Sequence, residues 1–163
     1  MTGEWGLRLL VLCLAITPIR RLSGWRWLAP QRRTLGLAAF VYSSLHLLTW
    51  AVLDQGLHGP AIVEDLSERP FVWLGASAFL CLLPLAITST RGWMRRLKRH
   101  WSTLHRLAYV ALVLAVGHLW WLTKADDRGP IVWAAVAALL LATRLVPWRR
   151  AAQRRESGSA VEA

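Results

Sequence analysis

Residues 34–53 run for twenty positions without an Asp, Glu, Lys or Arg. A helix of that length rises about 30 Å, the thickness of the bilayer hydrocarbon. Hydrocarbon offers no water to the backbone, so a segment inside it must satisfy its own N–H and C=O groups as a helix or a closed barrel. A second such run covers residues 71–90, with Pro84 as a predicted kink. Three weaker apolar blocks complete the set. Residues 5–19 are interrupted by Arg8, residues 101–123 carry His105, Arg106 and His118, and residues 130–147 end near Arg144, which is expected to snorkel to the surface. The first block lacks a basic segment before it and a small-residue cleavage site after it, so it reads as a membrane helix and not as a signal peptide. The expectation is an all-α integral membrane bundle of five transmembrane helices. It forms one domain over residues 1–148, followed by a basic, disordered cytoplasmic tail over 149–163.

The chain is 55% hydrophobic with a mean hydropathy of +0.36, beyond the range of an ordinary soluble domain. Its formal charge of +11 raises the question of nucleic acid, but the charge placement excludes it. Arg20, Arg21, Arg26, Arg32 and Arg33 fill the first connection, and Arg91, Arg95, Arg96, Lys98 and Arg99 the third, both without an acid. The second holds Asp54, Glu64, Asp65 and Glu68 against Arg69, and the fourth is balanced between Lys124, Arg128, Asp126 and Asp127. Basic connections therefore alternate with the others, as the positive-inside rule requires. The first and third connections and the C-terminus are predicted on the cytoplasmic side of a bacterial inner membrane, with Met1 and the other two outside. Tryptophans at the span ends read as an interfacial belt. Cys13 and Cys81 fall inside apolar blocks as small buried hydrophobes, and no disulfide or CxxC pattern exists.

His46, His105 and His118 all lie within these blocks. An imidazole in hydrocarbon is expensive and is usually paired or put to use, and neutral imidazole is the commonest side-chain metal ligand. Blocks two and four run in the same direction, with His46 and His118 toward the same, outer end. They can clamp one haem iron between helices. His105 lies toward the inner end, 13 residues or about 20 Å from His118, which suits a second redox position. Thirteen residues leave the two rings about 140° apart around an ideal helix. Either the helix departs from ideal geometry, for example near Gly117, or the rings face different neighbours. Arg32, 14 residues before His46, falls within about 40° of it and at the depth of His105. It is expected to hold a propionate or another anion through its planar fork rather than to ligate iron. The metal ligands expected are thus His46, His105 and His118. His58 and His100 are expected in solvent, with His100 able to touch a propionate. A hydrogen-bonded core histidine is the ordinary alternative for any one ring, and a small transporter or proton relay is the competing function for the set. No GxGxxG, Walker A, HExxH or nucleophile–base arrangement is present. With no nicotinamide-binding domain, a redox protein of this sequence must take electrons from one molecule and give them to another.

The segments "TGEWGLRLL" (2–10), "LGLAAFVYSSLHLLTW" (35–50), "RPFVWLG" (69–75), "LAITSTRGWMRRLKRHWSTLHRLAYV" (85–110) and "VGHLWWLTK" (116–124) resemble the MsrQ (YedZ) family. This is the haem-binding membrane subunit of the bacterial periplasmic protein-methionine-sulfoxide reductase system, within the ferric reductase-like transmembrane superfamily. The resemblance runs from Thr2 to about Arg144. It implies haem b at the positions of His46, His105 and His118, and an FMN that the sequence does not locate: the basic stretch from Arg91 to Arg99 can receive its phosphate but reads first as a solvated topogenic loop. It implies electrons from quinone or a cytosolic flavin reductase, and a periplasmic molybdopterin-containing methionine sulfoxide reductase catalytic subunit as acceptor. It implies an electron-transfer subunit with no catalytic residue of its own. Family members are expected to carry one further helix before the segment matching Thr2.

Overall fold

The computed structural model describes residues 2–123 and 128–145. The expected tail, the end of the fifth predicted span and most of the fourth connection lie outside the described residues. Within them the chain is helical: α1 (Thr2–Ser23), α2 (Leu28–Thr49), α3 (Gly59–Glu68), α4 (Pro70–Ile87), α5 (Arg91–Leu97), α6 (Arg99–Leu104), α7 (Leu107–Leu122) and α8 (Gly129–Leu145). A π-helical turn, Trp50–Asp54, extends α2. Four stretches are long and apolar enough to cross a membrane: Thr2–Ser23, Leu28–Asp54, Pro70–Ile87 and Arg99–Leu122. The fifth predicted span is present as the shorter apolar helix Gly129–Arg144. Its 17 described residues in α8 correspond to about 25 Å.

The helices pack as two pairs. α1 lies along α2 and α4 along α7, while α8 leans on α7 and α1. Leu7, Leu10 and Leu14 of α1 meet Leu82 and Leu85 of α4 and Ala108, Ala111, Leu112 and Val116 of α7. Small residues at the crossings, Ala39, Ala111 and Ala137 among them, let the backbones approach. α2 contributes only Ala39 to this core. Its Val41, Leu45 and Leu48 are exposed, as side chains facing lipid are. The backbones of α2 and α7 make little or no close contact, although both helices carry histidines at matching depth.

The connections hold more structure than the sequence suggests. The first is a tight turn in which Gly24, at φ 74°, adopts a conformation that side chains disfavour. The second, read from sequence as a polar loop, contains α3, started by Pro60 in its first turn. Ala61, Ile62, Asp65 and Leu66 of α3 face inward, and Val63, Glu64 and Glu68 face out. Asp65 is buried, not solvated with the other acids of this connection. Its carboxylate accepts from Trp50 Nε1 at 2.9 Å and pairs with Arg69 Nε at 3.0 Å. Trp73 Nε1 donates to the Leu66 carbonyl at 2.7 Å. These bonds clamp α3 over the outer ends of α2 and α4.

The third connection contains α5, capped by Thr90. It breaks at Lys98, whose φ of 46° prevents α5 from continuing into α6. The fourth predicted span is likewise not one straight helix. The chain turns at His105 and Arg106, and the bonds from Arg106 to Thr103, Ala108 to His105 and Tyr109 to Arg106 all close three-residue turns. A turn of that kind rotates about 120° per residue instead of 100°. The departure from ideal geometry therefore lies at 105–109, whereas Gly117 is regular helix. Pro84 sits in the last turn of α4, and the Thr88 N–H and hydroxyl both donate to its carbonyl.

Removing the buried carboxylate leaves the Trp50 indole and the Arg69 guanidinium without their acceptor. Asp65→Ala should lower stability by about 1–3 kcal/mol in thermal unfolding of the detergent-solubilised protein. Trp50→Phe should cost less, and the double variant should fall short of the sum of the two.

Candidate functional site

His46 sits in the last turn of α2 and His118 in the last turns of α7. Their ring centroids are 6.2 Å apart, with the ring planes at 70°. His118 is half-buried and His46 is exposed in the isolated chain. Two imidazoles whose nitrogens each lie about 2 Å from a shared metal have centroids about 6 Å apart, so the spacing fits axial ligation of one ion. His118 Nδ1 lies 2.7 Å from the Phe71 carbonyl at the start of α4. A carbonyl only accepts, so Nδ1 carries the proton and donates, leaving the Nε2 lone pair free. A second ring partner of this kind is the usual support of a histidine ligand.

Among the described residues, no group of three or more His, Cys, Asp or Glu side chains converges as for a bare metal ion. A metal held by His46 and His118 would need its remaining ligands from a macrocycle. A porphyrin supplies four, and the two imidazoles, at the spacing of a shared ion on helices with little or no backbone contact, fit that group.

Two glycines border the rings. A Cβ on Gly3 of α1 would lie 3.0 Å from His46 Nε2 and Cδ2, and one on Gly75 of α4 would lie 2.9 Å from His118 Nδ1. Neither is possible without moving the ring. Gly117, in contrast, has room for a methyl, with Leu74 at an ordinary 3.6 Å. The importance of Gly3 and Gly75 cannot be read from helical spacing on one element, because each acts on a histidine of another.

At the inner end, His105 stacks on Trp101 with centroids 3.9 Å apart, and its Nδ1 lies 3.2 Å from the Trp101 carbonyl. Trp101 is fixed in turn by its Nε1 donating to the Thr88 carbonyl at 3.0 Å. His105 and Arg32 line one open cavity of about 450 Å³, together with Trp101, Ser102, Arg106, Tyr109 and Arg144. The structure thus brings His46 to His118, and Arg32 to His105, as the α2 spacing of 14 predicts. Both alternatives for α7 hold. The helix is overwound near His105, and the rings differ in their third neighbour, α4 for His118 and α8 for His105.

Arg144 departs from the reading. It does not snorkel outward: its Nη2 points to the Leu14 carbonyl at 3.4 Å, and its guanidinium lies 5.3 Å from the Tyr109 ring centroid. Its place near the end of a short final helix was the available signal. His58 and His100 are exposed. Cys13 and Cys81 are free thiols, and Cys13 Sγ donates to the Arg32 carbonyl at 3.2 Å.

The glycine contacts give a stability contrast. Gly75→Ala should destabilise the protein by about 1–3 kcal/mol through overpacking against His118. Gly117→Ala should be neutral or stabilising by a few tenths of a kcal/mol through helix propensity. Thermal unfolding of both variants in one detergent checks the difference.

Residues 2–116 match the family described as "Ferric reductase like transmembrane component". A protein of Xanthomonas campestris pv. campestris, named protein-methionine-sulfoxide reductase heme-binding subunit MsrQ, is 51% identical over 94% of this chain and 70% of its own. Proteins of the same name from Xanthomonas oryzae pv. oryzae and Ralstonia nicotianae are 47% and 46% identical, over 94% and 98% of this chain and 70% and 76% of theirs. No solved structure matches the chain. With its helices, its paired intramembrane histidines and these relatives, the chain belongs to the MsrQ family of ferric reductase-like transmembrane proteins.

Proposed function

We propose that this protein is a b-type haem electron-transfer subunit. It carries electrons across the bacterial inner membrane to a periplasmic, molybdopterin-containing protein-methionine-sulfoxide reductase, and so supports repair of oxidised periplasmic proteins. The single observation that carries the reading is the pair of imidazoles, His46 and His118, at a spacing of 6.2 Å between helices that otherwise stand apart. The relatives' printed name, a heme-binding subunit of a protein-methionine-sulfoxide reductase, supports both the cofactor and the partner.

Bound haem supplies reversible one-electron transfer at iron, and two such electrons with two protons reduce one methionine sulfoxide at the partner's own centre. The chain's residues do the rest. His46 and His118 would offer imidazole nitrogens to the haem iron at the outer end. The Phe71 carbonyl holds His118 in the tautomer that leaves Nε2 free. The Asp65–Trp50 bond fastens the π-helical turn that begins one helical turn after His46. At the inner end His105 offers one nitrogen, and Arg32 a guanidinium for a carboxylate. The apolar helices exclude water and keep the sites in a low dielectric, which sets the potential.

The basic connections orient the bundle with the His105 end cytoplasmic, where quinone or a cytosolic flavin reductase donates, and with α3 and the His46–His118 end periplasmic. FMN rests only on the resemblance noted from the sequence motifs. Arg91 and Arg95, with Met94, border a shallow hollow that offers two guanidiniums to a phosphate. Those residues provide no walls for a flavin ring, so they do not fit FMN as a whole, and no step is derived through it.

His46→Ala and His118→Ala should each abolish the haem spectrum of the outer site, read as a reduced-minus-oxidised difference spectrum with pyridine haemochrome quantitation. His105→Ala should remove only the inner contribution. A colourless wild-type protein, or spectra unchanged in both outer variants, overturns the reading. For the orientation, Leu57→Cys should react with a membrane-impermeant maleimide in spheroplasts and Arg95→Cys should not. The reverse pattern would turn the electron path around.

A further inference from the structure

The inner cavity collects guanidiniums from three separate elements: Arg32 of α2, Arg106 at the turn before α7, and Arg144 of α8. No Asp or Glu lines it. The acids among the described residues are Glu4, Asp54, Glu64, Asp65 and Glu68, and both ion pairs formed there, Arg8 with Glu4 and Arg69 with Asp65, lie at the other end of the bundle. Arg32 and Arg144 are half-buried and close enough to repel one another electrostatically. Like charges gathered at the edge of a low-dielectric bundle destabilise it unless an anion joins them.

The arrangement is also braced. Arg144 is held from behind by the Leu14 carbonyl and the face of Tyr109, while the Arg32 backbone is tied to Cys13 of α1. Arg144 is therefore not a long side chain reaching freely for solvent, and the backbone that carries Arg32 is fixed. Bracing of this kind reduces the side-chain entropy lost when the guanidinium forks engage an oxyanion. The stacked pair of Trp101 and His105 forms a flat wall beside them.

We propose that Arg32, Arg106 and Arg144 form a seat for a dianionic group in the inner cavity, either the paired carboxylates of a porphyrin resting on His105 or the phosphate of an anionic lipid headgroup. Arg144 is the residue that converts a single guanidinium into a chelating site. Only the first of the two sources rests on the haem reading; the second stands without it.

The test uses the full chain purified in detergent with phosphate-free buffer. Haem per chain is read by pyridine haemochrome, and tightly held phosphorus per chain by elemental analysis after exhaustive detergent washing. The variants are Arg144→Gln, Arg144→Lys, Arg106→Gln and the double Arg32→Gln/Arg144→Gln, with Arg26→Gln, exposed and outside the cavity, as control. Arg144→Gln should weaken retention of the anion at least about tenfold. Arg144→Lys should recover only part of it, because a point charge cannot replace the fork. If porphyrin carboxylates occupy the seat, the double variant loses the inner haem and keeps the outer spectrum and the wild-type phosphorus content. If a headgroup occupies it, haem is unchanged and about one phosphorus per chain is lost. Unchanged haem and phosphorus in the double variant overturn the proposal. Should that variant fail to keep wild-type helicity by circular dichroism, Arg106→Gln, whose exposed side chain supports no packing, decides between the same outcomes. Loss of the outer spectrum in His46→Ala bears on the haem reading alone and leaves the phosphorus result standing.

Discussion

The proposed site depends on two imidazoles held face to edge near the ends of apolar helices. His46 and His118 come from helices that scarcely touch, and each is carried there by a different partner, α1 under α2 and α4 against α7. In hydrocarbon there is no hydrophobic force between helices, so close packing of small residues and specific polar contacts decide which surfaces meet. The dense leucine and alanine core binds α1, α4 and α7 to one another. It leaves α2 attached mainly through α1, with α4 as a lesser neighbour. On the proposed reading a planar group sits between His46 and His118, and the surrounding contacts keep the width between the two rings.

Several features read as supports for that width. The Phe71 carbonyl fixes the His118 ring from α4, and Gly75 lets it sit against that helix. Gly3 does the same for His46 from α1. The π-helical turn after His46 is fastened to α3 through Trp50 and Asp65. π-helical turns inside or at the end of α-helices occur frequently at functional sites, and here the turn sits one helical turn beyond a proposed ligand. Each histidine is therefore constrained by backbone or side chains of another helix, as a ligand must be if a cofactor is to meet preformed geometry rather than reorganise it.

The two ends of the bundle differ in kind. The outer end has two imidazoles and a covering helix whose buried acid is fully paired. The inner end has one imidazole, a flat aromatic wall and an excess of positive charge. On the proposed reading this asymmetry suits a protein that accepts electrons on one side and delivers them on the other, since local charge is one of the levers on a haem potential. On that reading the same positive charge also sets the orientation during insertion, so that the arginines at the inner end serve both topology and binding.

Much of this was legible along the chain. Uncharged runs of about twenty residues dictate helices because lipid leaves the backbone no other partner. The parallel direction of α2 and α7 places His46 and His118 at one depth, and the interval from Arg32 to His46 fixes which face of α2 is lined. Those are properties of a single element with a fixed rise and rotation, and periodicity reveals them. What only the tertiary structure decided involves residues brought together from separate elements. Asp65 looked like one more solvated acid until α3 folded back onto Trp50. Arg144 looked free to snorkel until α8 laid it across Tyr109 and the Leu14 carbonyl. Gly3 and Gly75 carry no pattern, since their meaning is a distance to a ring on another helix. The overwound turn at His105 depends on hydrogen bonds closing after three residues instead of four, a choice that hydropathy does not encode. Sequence sets what each helix must be, because solvent acts on every residue locally, whereas the site is a set of distances between helices, and those exist only after packing.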